Sequence, residues 1–163
     1  MSSTSCSANA PAKASRFRLM PPTLFLALLV ATVALALTLP AHGIDTAPFS
    51  YILGGALVGA GIVLNLWSDQ QLKRVHTTVK PYDTPSTLVA GGAFRLTRNP
   101  MYLGMALILA GTAVALGGLV ALSCPLMFMV AVDRWFIRTE EANAEAAFGA
   151  AYVAYRRKVR RWL

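Results

Sequence analysis

The feature that most constrains this chain is a run of 33 residues without a charged side chain, from Pro100 to Val132. One straight helix of that length would extend about 50 Å, whereas the hydrocarbon core of a bilayer is about 30 Å thick. The run must therefore turn back on itself, and Gly117-Gly118 is the natural break. This predicts two membrane helices, at 101–116 and 119–136, joined as a tight hairpin.

Two further uncharged stretches lie nearer the N-terminus, at 21–43 and 47–67. Each is long enough to cross a bilayer once, and the chain is 56% hydrophobic and only 13% charged. We therefore predict an all-α polytopic membrane protein with four spans, at about 22–39, 49–67, 101–116 and 119–136. Residues 1–20 are predicted to form a flexible tail before a single membrane domain over 21–163.

The fifteen Lys and Arg residues are distributed unevenly: three precede the first span, five lie between the second and third, and seven lie at or after the fourth. The two opposite connections contain none. The positive-inside rule therefore predicts a multi-pass protein of the cell membrane with both termini and the 68–100 loop in the cytoplasm. The formal charge of +8 is then a topology signal, and nucleic acid is not an expected partner.

Several other interpretations are disfavoured. A cleaved signal peptide is disfavoured because the first apolar run exceeds the usual 7–15 residues. Cys6 and Cys124 are predicted in the tail and inside the membrane, and His42 and His76 on opposite faces, so we expect neither a disulfide nor a metal site.

The 68–100 loop is the most polar internal segment. Pro81, Pro85 and Gly91-Gly92 interrupt any continuous helix, so its middle is predicted to be irregular and to cover a cavity. In the second span, Gly55 and Gly59, with Gly61 beyond, give a small-residue face suited to close helix contact, and the Gly55/Gly59 face would permit a homodimer.

The residues after the fourth span follow a helical repeat. Apolar and aromatic side chains recur at steps of four and three, opposite the basic ones: Phe148, Tyr152, Tyr155, Val159 and Trp162. This pattern predicts an amphipathic C-terminal helix at the cytoplasmic interface.

The fourth span itself exits into five ionisable residues: Asp133, Arg134, Arg138, Glu140 and Glu141. In a continuous helix, Arg134, Arg138 and Glu141 share one face. A surface ladder of ion pairs, such as Arg138 with Glu141, and a functional site both fit this spacing.

The third span opens with Asn99-Pro100-Met101-Tyr102, directly behind Arg95 and Arg98. Asn99 is predicted to cap the helix through its side chain, and Pro100 suits the first helical position. Free N–H groups at such a start can hold the polar end of a ligand. The hairpin is expected to bring this opening close to the acidic pair.

Two segments, with the hairpin between them, resemble the isoprenylcysteine carboxyl methyltransferase and phospholipid methyltransferase superfamily of integral membrane enzymes: "STLVAGGAFRLTRNPMYLG" and "RTEEANAEAAFGAAYVAYRRKVRRWL". The resemblance covers residues from about 80 to 163. It implies S-adenosylmethionine, bound from the cytosol by the loop, the hairpin and the C-terminal helix. The acceptor would be lipophilic: an isoprenylcysteine-type carboxylate, a related small lipid or isoprenoid, or the amine of a phospholipid.

The resemblance also implies residue roles. The expected cofactor contacts are Ser86, Thr87, Leu88, Val89, Phe94, Asn99, Pro100, Met101, Tyr102 and Glu140. Arg138, or Arg134, is expected to contact the substrate, and Arg138 and Glu141 are the candidate catalytic residues. Asn99 replaces the histidine of the isoprenylcysteine branch, as in the phospholipid branch, so the acceptor stays open. The shorter segment after Arg138 leaves the assignment between Glu140 and Glu141 open as well.

Methyl transfer from a sulfonium needs orientation and exclusion of water but no metal. A hypothesis of another class is a non-catalytic membrane interaction protein, whose loop and acidic pair would tolerate substitution as freely as surface residues do.

Overall fold

The computed structural model describes residues 20–39, 48–74 and 87–163, and within these ranges the protein is helical without strands. Its α-helices are α1 (Pro21–Thr38), α2 (Phe49–Arg74), α3 (Pro100–Ala115), α4 (Ser123–Val132), α5 (Arg138–Phe148) and α6 (Ala150–Lys158). Shorter elements are 3-10 turns at Gly92–Arg95 and Val120–Leu122 and a π-helical turn at Asp133–Ile137. The predicted tail up to residue 19, Ser86 and the two loop prolines lie outside the described residues.

Three helical segments of the described chain are long and apolar enough to cross a membrane: Pro21–Thr38, Phe49–Arg74 and Val120–Phe148. The remaining apolar helix, α3, has 16 residues, which extend about 24 Å and fall short of a typical hydrocarbon core. The four-span topology therefore stays a prediction. α2 continues past the predicted boundary at residue 67, so the beginning of the predicted loop is helical.

The chain reverses direction after α3. Gly117 has a φ of +66°, a conformation that favours glycine, and the N–H of Gly118 donates to the carbonyl oxygen of Ala113 at 3.0 Å. A Cβ on Gly118 would lie 2.7 Å from the Cβ of Ala36 in α1. A turn therefore follows α3 at the glycine pair, and α1 packs directly against it; the tight membrane hairpin of the third and fourth spans stays a prediction.

α3 makes its most extensive contact with α2, through glycines of both helices. A Cβ on Gly61 would lie 2.5 Å from the carbonyl oxygen of Gly104, and one on Gly54 would lie 2.6 Å from that of Gly111. Small residues let the two backbones approach closely. The predicted pair, by contrast, has open space around it: a Cβ on Gly55 or Gly59 meets nothing within 4 Å. Of the three glycines in the predicted face, Gly61 lies in the contact with α3, whereas Gly55 and Gly59 lie on an open side of α2, and a homodimer through them stays a prediction.

The largest buried cluster joins the inner faces of α3, α4 and the π-helical turn: Tyr102, Ala106, Leu109, Phe128, Val132, Phe136 and Ile137. Phe25 of α1 meets Phe128 edge-on, with ring centroids 6.3 Å apart. Phe128 and Ile137 are fully buried. This packing fixes the start of α3 against the end of α4, where the polar residues gather.

The C-terminal segment differs from the predicted single helix. Gly149, with a φ of +51°, separates α5 from α6, and the chain is extended at Val159. Tyr152 and Tyr155 are buried, and Trp162 packs against the apolar core. The aromatic face therefore points into the protein, and the last residues form a tail that returns to the start of α3.

Candidate functional site

The first turns of α3 and α5 meet through two side chains. The hydroxyl of Tyr102 donates a hydrogen bond of 2.6 Å to Oε1 of Glu140. Tyr102 is buried and Glu140 is partly buried. The structure thus brings together the helix opening and the acidic pair, as the sequence indicated.

The second acid of the pair, Glu141, is engaged by two arginines. Nη2 of Arg98 lies 3.2 Å from its Oε1, and Arg161 donates from Nε to Oε1 and from Nη2 to Oε2. The Glu141 side chain is only 12% exposed, and its hydrogen bond to Arg161 raises the pKa of that guanidinium. Paired on both oxygens in this way, Glu141 has less capacity for a ligand than Glu140 has.

The π-helical turn adds a residue to the helical repeat, so it rotates all of α5, including Arg138 and Glu141, relative to α4. The side chain of Arg138 is 60% exposed, and its Nε lies 3.5 Å from Oδ2 of Asp133. Arg161 donates from Nη1 to Oδ1 of the same carboxylate at 2.9 Å. The ion pair between Arg138 and Glu141, one of the two interpretations that the spacing allowed, is not formed, because Glu141 pairs with Arg98 and Arg161 instead.

The C-terminal tail lies over the start of α3 through backbone carbonyls. The carbonyl oxygen of Arg161 accepts from Oγ1 of Thr97 at 2.8 Å and from Nδ2 of Asn99 at 3.1 Å. The carbonyl oxygen of Arg160 accepts from the N–H of Arg98 at 3.0 Å. Asn99 makes no side-chain cap to α3, so the prediction of a capping side chain was wrong. Pro100 does begin the helix, as predicted.

Arg98 is a site residue to which the sequence interpretation gave no role beyond membrane topology. Its side chain is only 10% exposed. Nε and Nη1 are buried and have no hydrogen-bond partner among the residues that the structure describes. Buried donors without partners are uncommon and costly, so these two atoms are candidates to hold a ligand anion, although the guanidinium also interacts with the hydroxyl of Tyr152. The sequence signal was its position directly before the Asn-Pro helix start.

The loop before α3 is held from two sides. The hydroxyl of Tyr155 donates to the carbonyl oxygen of Phe94 at 2.7 Å, and burial raises the pKa of Tyr155 to about 12, so that it remains a donor at neutral pH. Gln71 of α2 accepts from the N–H of Ala93 at 3.0 Å. Gly92, with a φ of +54°, lies against the Gln71 side chain. These contacts fix the ring of Phe94 in a half-buried position.

The remaining predicted cofactor residues differ in exposure. Thr87 is exposed, whereas Leu88, Val89 and Met101 are half-buried. Ser86 lies outside the described residues. Their roles as cofactor contacts stay predictions.

Arg134 and Arg138 lie on another side of the helix, at a groove of about 420 Å³. The groove is lined by Leu126, Met129, Val130, Asp133, Arg134, Arg138 and Trp162. Residues two apart in a helix point in nearly opposite directions, and Arg138 is accordingly exposed where Glu140 is partly buried. Arg138 and Glu140 therefore point to different sides of α5, and the predicted substrate role of Arg134 and Arg138 stays a prediction.

Comparison with known proteins places these features in a family. Residues 49–151, more than half of the chain, match the family model described as phospholipid methyltransferase. An uncharacterized protein of Haemophilus influenzae is 38% identical over 63 residues, which are 39% of this chain and the whole of that protein. No solved structure matches the chain. The family match includes Arg98, Tyr102 and both glutamates, whereas Arg161 and Trp162 lie beyond it.

Proposed function

The chain belongs to the phospholipid methyltransferase family, and we propose that it transfers a methyl group from S-adenosylmethionine to a lipophilic acceptor. The observation that carries this proposal is the hydrogen bond between Tyr102 and Glu140, because it joins the helix opening to the acidic pair. The resemblance to the isoprenylcysteine branch predicts that both of these residues contact the cofactor.

The side chains around this contact fit the polar parts of S-adenosylmethionine. Nε and Nη1 of Arg98 form no hydrogen bond in the described chain, and either N–H could donate a charge-assisted hydrogen bond to a carboxylate such as that of the cofactor's amino-acid end. Glu140 would accept from the ammonium group or from the ribose hydroxyls. The rings of Phe94 and Tyr102 would flank the apolar portions of the cofactor.

The protein's own contribution is positioning. When bound, the cofactor supplies its sulfonium methyl group, which the acceptor's nucleophile takes by in-line displacement as the carbon–sulfur bond breaks. Tyr102 orients Glu140, while Arg98 and Arg161 fix Glu141 directly behind it. The packed core around Phe136 and Ile137 excludes water from one side, which strengthens each of these contacts.

The acceptor determines whether a base is needed. A carboxylate, as in an isoprenylcysteine-type substrate, is already anionic and needs none. The amine of a phospholipid must lose a proton, and Glu140 is better placed to receive it than Glu141, which two arginines already engage. This favours a catalytic or cofactor role for Glu140 and a positioning role for Glu141.

Two measurements test the proposal. Isothermal titration calorimetry of the purified protein with S-adenosylmethionine should show binding that is strongly weakened in Glu140→Gln and retained in Glu145→Gln, which changes a partly exposed glutamate of the same helix. Absence of binding to the parent protein would refute the proposal.

The second measurement identifies the acceptor. Membranes containing the protein or its Glu140→Gln variant are incubated with cofactor labelled in the methyl group, and the lipids are extracted. Mild alkali releases label from a methyl ester but not from an N-methyl group. An alkali-labile product that requires Glu140 would support the carboxylate acceptor, and an alkali-stable one would support the amine.

A further inference from the structure

The groove beside α4 combines an apolar floor with a cationic end. Leu126, Met129 and Val130 line the floor, and Asp133, Arg134 and Arg138 line the polar end. Trp162 from the C-terminal tail forms one wall. An amphiphile whose chain lies along α4 would place its headgroup between the two arginines.

The positive charge of this end is largely unpaired. Arg134 is exposed and forms no ion pair with any described residue. Arg138 has only the 3.5 Å contact with Asp133, whose other oxygen is taken by Arg161 at 2.9 Å. Asp133, the one acidic residue that lines the groove, is therefore already paired with Arg161. Both arginines of the groove are available to bind an anion.

The groove faces outward, where the bilayer would lie. Leu126 is 64% exposed and Val130 is 60% exposed, on a helical segment apolar enough to cross a membrane. Basic residues at the end of such a segment lie at the depth of lipid headgroups, and pockets of this type bind anionic ones.

We propose that this groove binds a membrane phospholipid with an anionic headgroup as a resident lipid. Arg134 and Arg138 contact the phosphate, and one acyl chain lies on Leu126, Met129 and Val130. The groove suits a resident lipid better than the methyl acceptor, because it is shallow and open and its one carboxylate is engaged. This assignment moves the two arginines from acceptor binding to lipid binding, and it does not depend on the proposed methyl transfer.

The test uses Trp162 as a reporter. Trp67→Phe and Trp135→Phe leave Trp162 as the single tryptophan of the chain. This protein is reconstituted into phosphatidylcholine bilayers containing a fraction of either phosphatidylglycerol or phosphatidylcholine brominated on the acyl chains near the headgroup, and quenching of its fluorescence is measured. We expect brominated phosphatidylglycerol to quench more strongly at equal content.

Replacing the arginines should remove that preference. Each of Arg134→Gln and Arg138→Gln should lower the relative association of phosphatidylglycerol by about fivefold, the factor that corresponds to about 1 kcal/mol per basic residue at an anionic surface. Arg157→Gln is the matched control, because Arg157 is exposed on α6 and does not line the groove.

Three results would overturn the proposal. The first is equal quenching by the two brominated lipids in the parent protein. The second is an equal loss in the Arg157 variant, which would indicate attraction by overall charge. The third is an undiminished preference in both arginine variants, which would place the bound phosphatidylglycerol elsewhere on the protein. A parent protein that shows the preference but binds no S-adenosylmethionine would uphold this inference while refuting the proposed function.

Discussion

The hydroxyl of Tyr102 and the carboxylate of Glu140 form a hydrogen bond of 2.6 Å between residues that are 38 positions apart. Each residue lies in the first turn of its helix, so the bond ties the start of α3 to the start of α5. Arg98, which precedes α3, contacts the neighbouring Glu141. Of the two consecutive glutamates, Glu140 therefore contacts a tyrosine, and Glu141 contacts two arginines.

Tyr102→Phe should weaken binding of S-adenosylmethionine by tenfold or more. A hydrogen bond to a charged group contributes about 1.5–3 kcal/mol, and without it Glu140 loses the group that orients it. Calorimetry measures the change, and Tyr51→Phe, at a tyrosine 62% exposed on α2, should leave binding unaltered. In the double variant with Glu140→Gln, binding should be no weaker than in Glu140→Gln alone. Additive losses would contradict a coupled pair.

Arg98→Gln should abolish measurable cofactor binding, since its two unpartnered nitrogens are the donors assigned to the carboxylate. Arg98→Lys keeps the charge but not the planar fork, so it should recover only part of the affinity. The neighbouring Arg95 is exposed, and Arg95→Gln serves as the control. Full affinity in Arg98→Lys would mean that charge alone is required, and full affinity in Arg98→Gln would remove Arg98 from the site.

Part of this arrangement could be predicted from the sequence because it depends on long patterns. Uncharged runs specify the helices within the described ranges, Pro100 begins α3, and the reversal falls at Gly117, where a positive φ is needed. Joining two short polar motifs across that reversal correctly anticipated that Tyr102 and Glu140 would lie together.

Which residues contact Glu140 and which contact Glu141 could not be predicted in this way. The π-helical turn at Asp133–Ile137 has no marker in the residue pattern, yet it decides which side chains of α5 face inward. Arg161 is one of five basic residues near the chain end, and composition does not distinguish the one that folds back onto Glu141. The contact of Gly54 with α3 was missed because Gly54 and Gly55 are the same residue type. They differ only in the side of α2 on which they lie.

Arg161→Gln should destabilise the folded protein by about 1–2 kcal/mol, since it removes charge-assisted hydrogen bonds of a partly exposed arginine. The substitution removes a cation that bridges Asp133 and Glu141, while Arg138 and Arg98 still contact these two carboxylates. Thermal unfolding in detergent measures the loss, with Arg160→Gln, at an exposed neighbour, as the control. Adding Glu141→Gln should lower the stability further, because the buried guanidinium of Arg98 then loses the carboxylate with which it pairs. Equal stability of the two single variants would show that the bridge is not structural.

Tyr155→Phe should change how stability depends on pH. The pKa of Tyr155 is raised from 10.0 to about 12 by burial, so the unfolded chain ionises first and stability falls as pH rises from 10 to 12. The Tyr155→Phe variant has no hydroxyl to ionise at this position. It should therefore lose less stability than the parent protein as the pH rises from 10 to 12. At neutral pH it should be less stable by about 1 kcal/mol, because the hydrogen bond to Phe94 is gone. Parallel stability curves above pH 10 would contradict this expectation.

Gly61→Ala should separate α2 from α3, whereas Gly59→Ala should not. A Cβ on Gly61 would lie 2.5 Å from the carbonyl oxygen of Gly104, and a Cβ on Gly59 meets nothing within 4 Å. Because the obstructing atom is backbone, one helix must move, and overpacking of this kind typically costs about 1–3 kcal/mol. Gly59→Ala should be neutral or slightly stabilising, since alanine reduces the freedom of the unfolded chain. Thermal unfolding of both variants in the same detergent checks the difference.

Since Tyr102 belongs to the helix that would move, cofactor affinity should fall with stability in Gly61→Ala and stay unchanged in Gly59→Ala. A loss in Gly59→Ala instead would assign that face to a contact with a second copy of the chain.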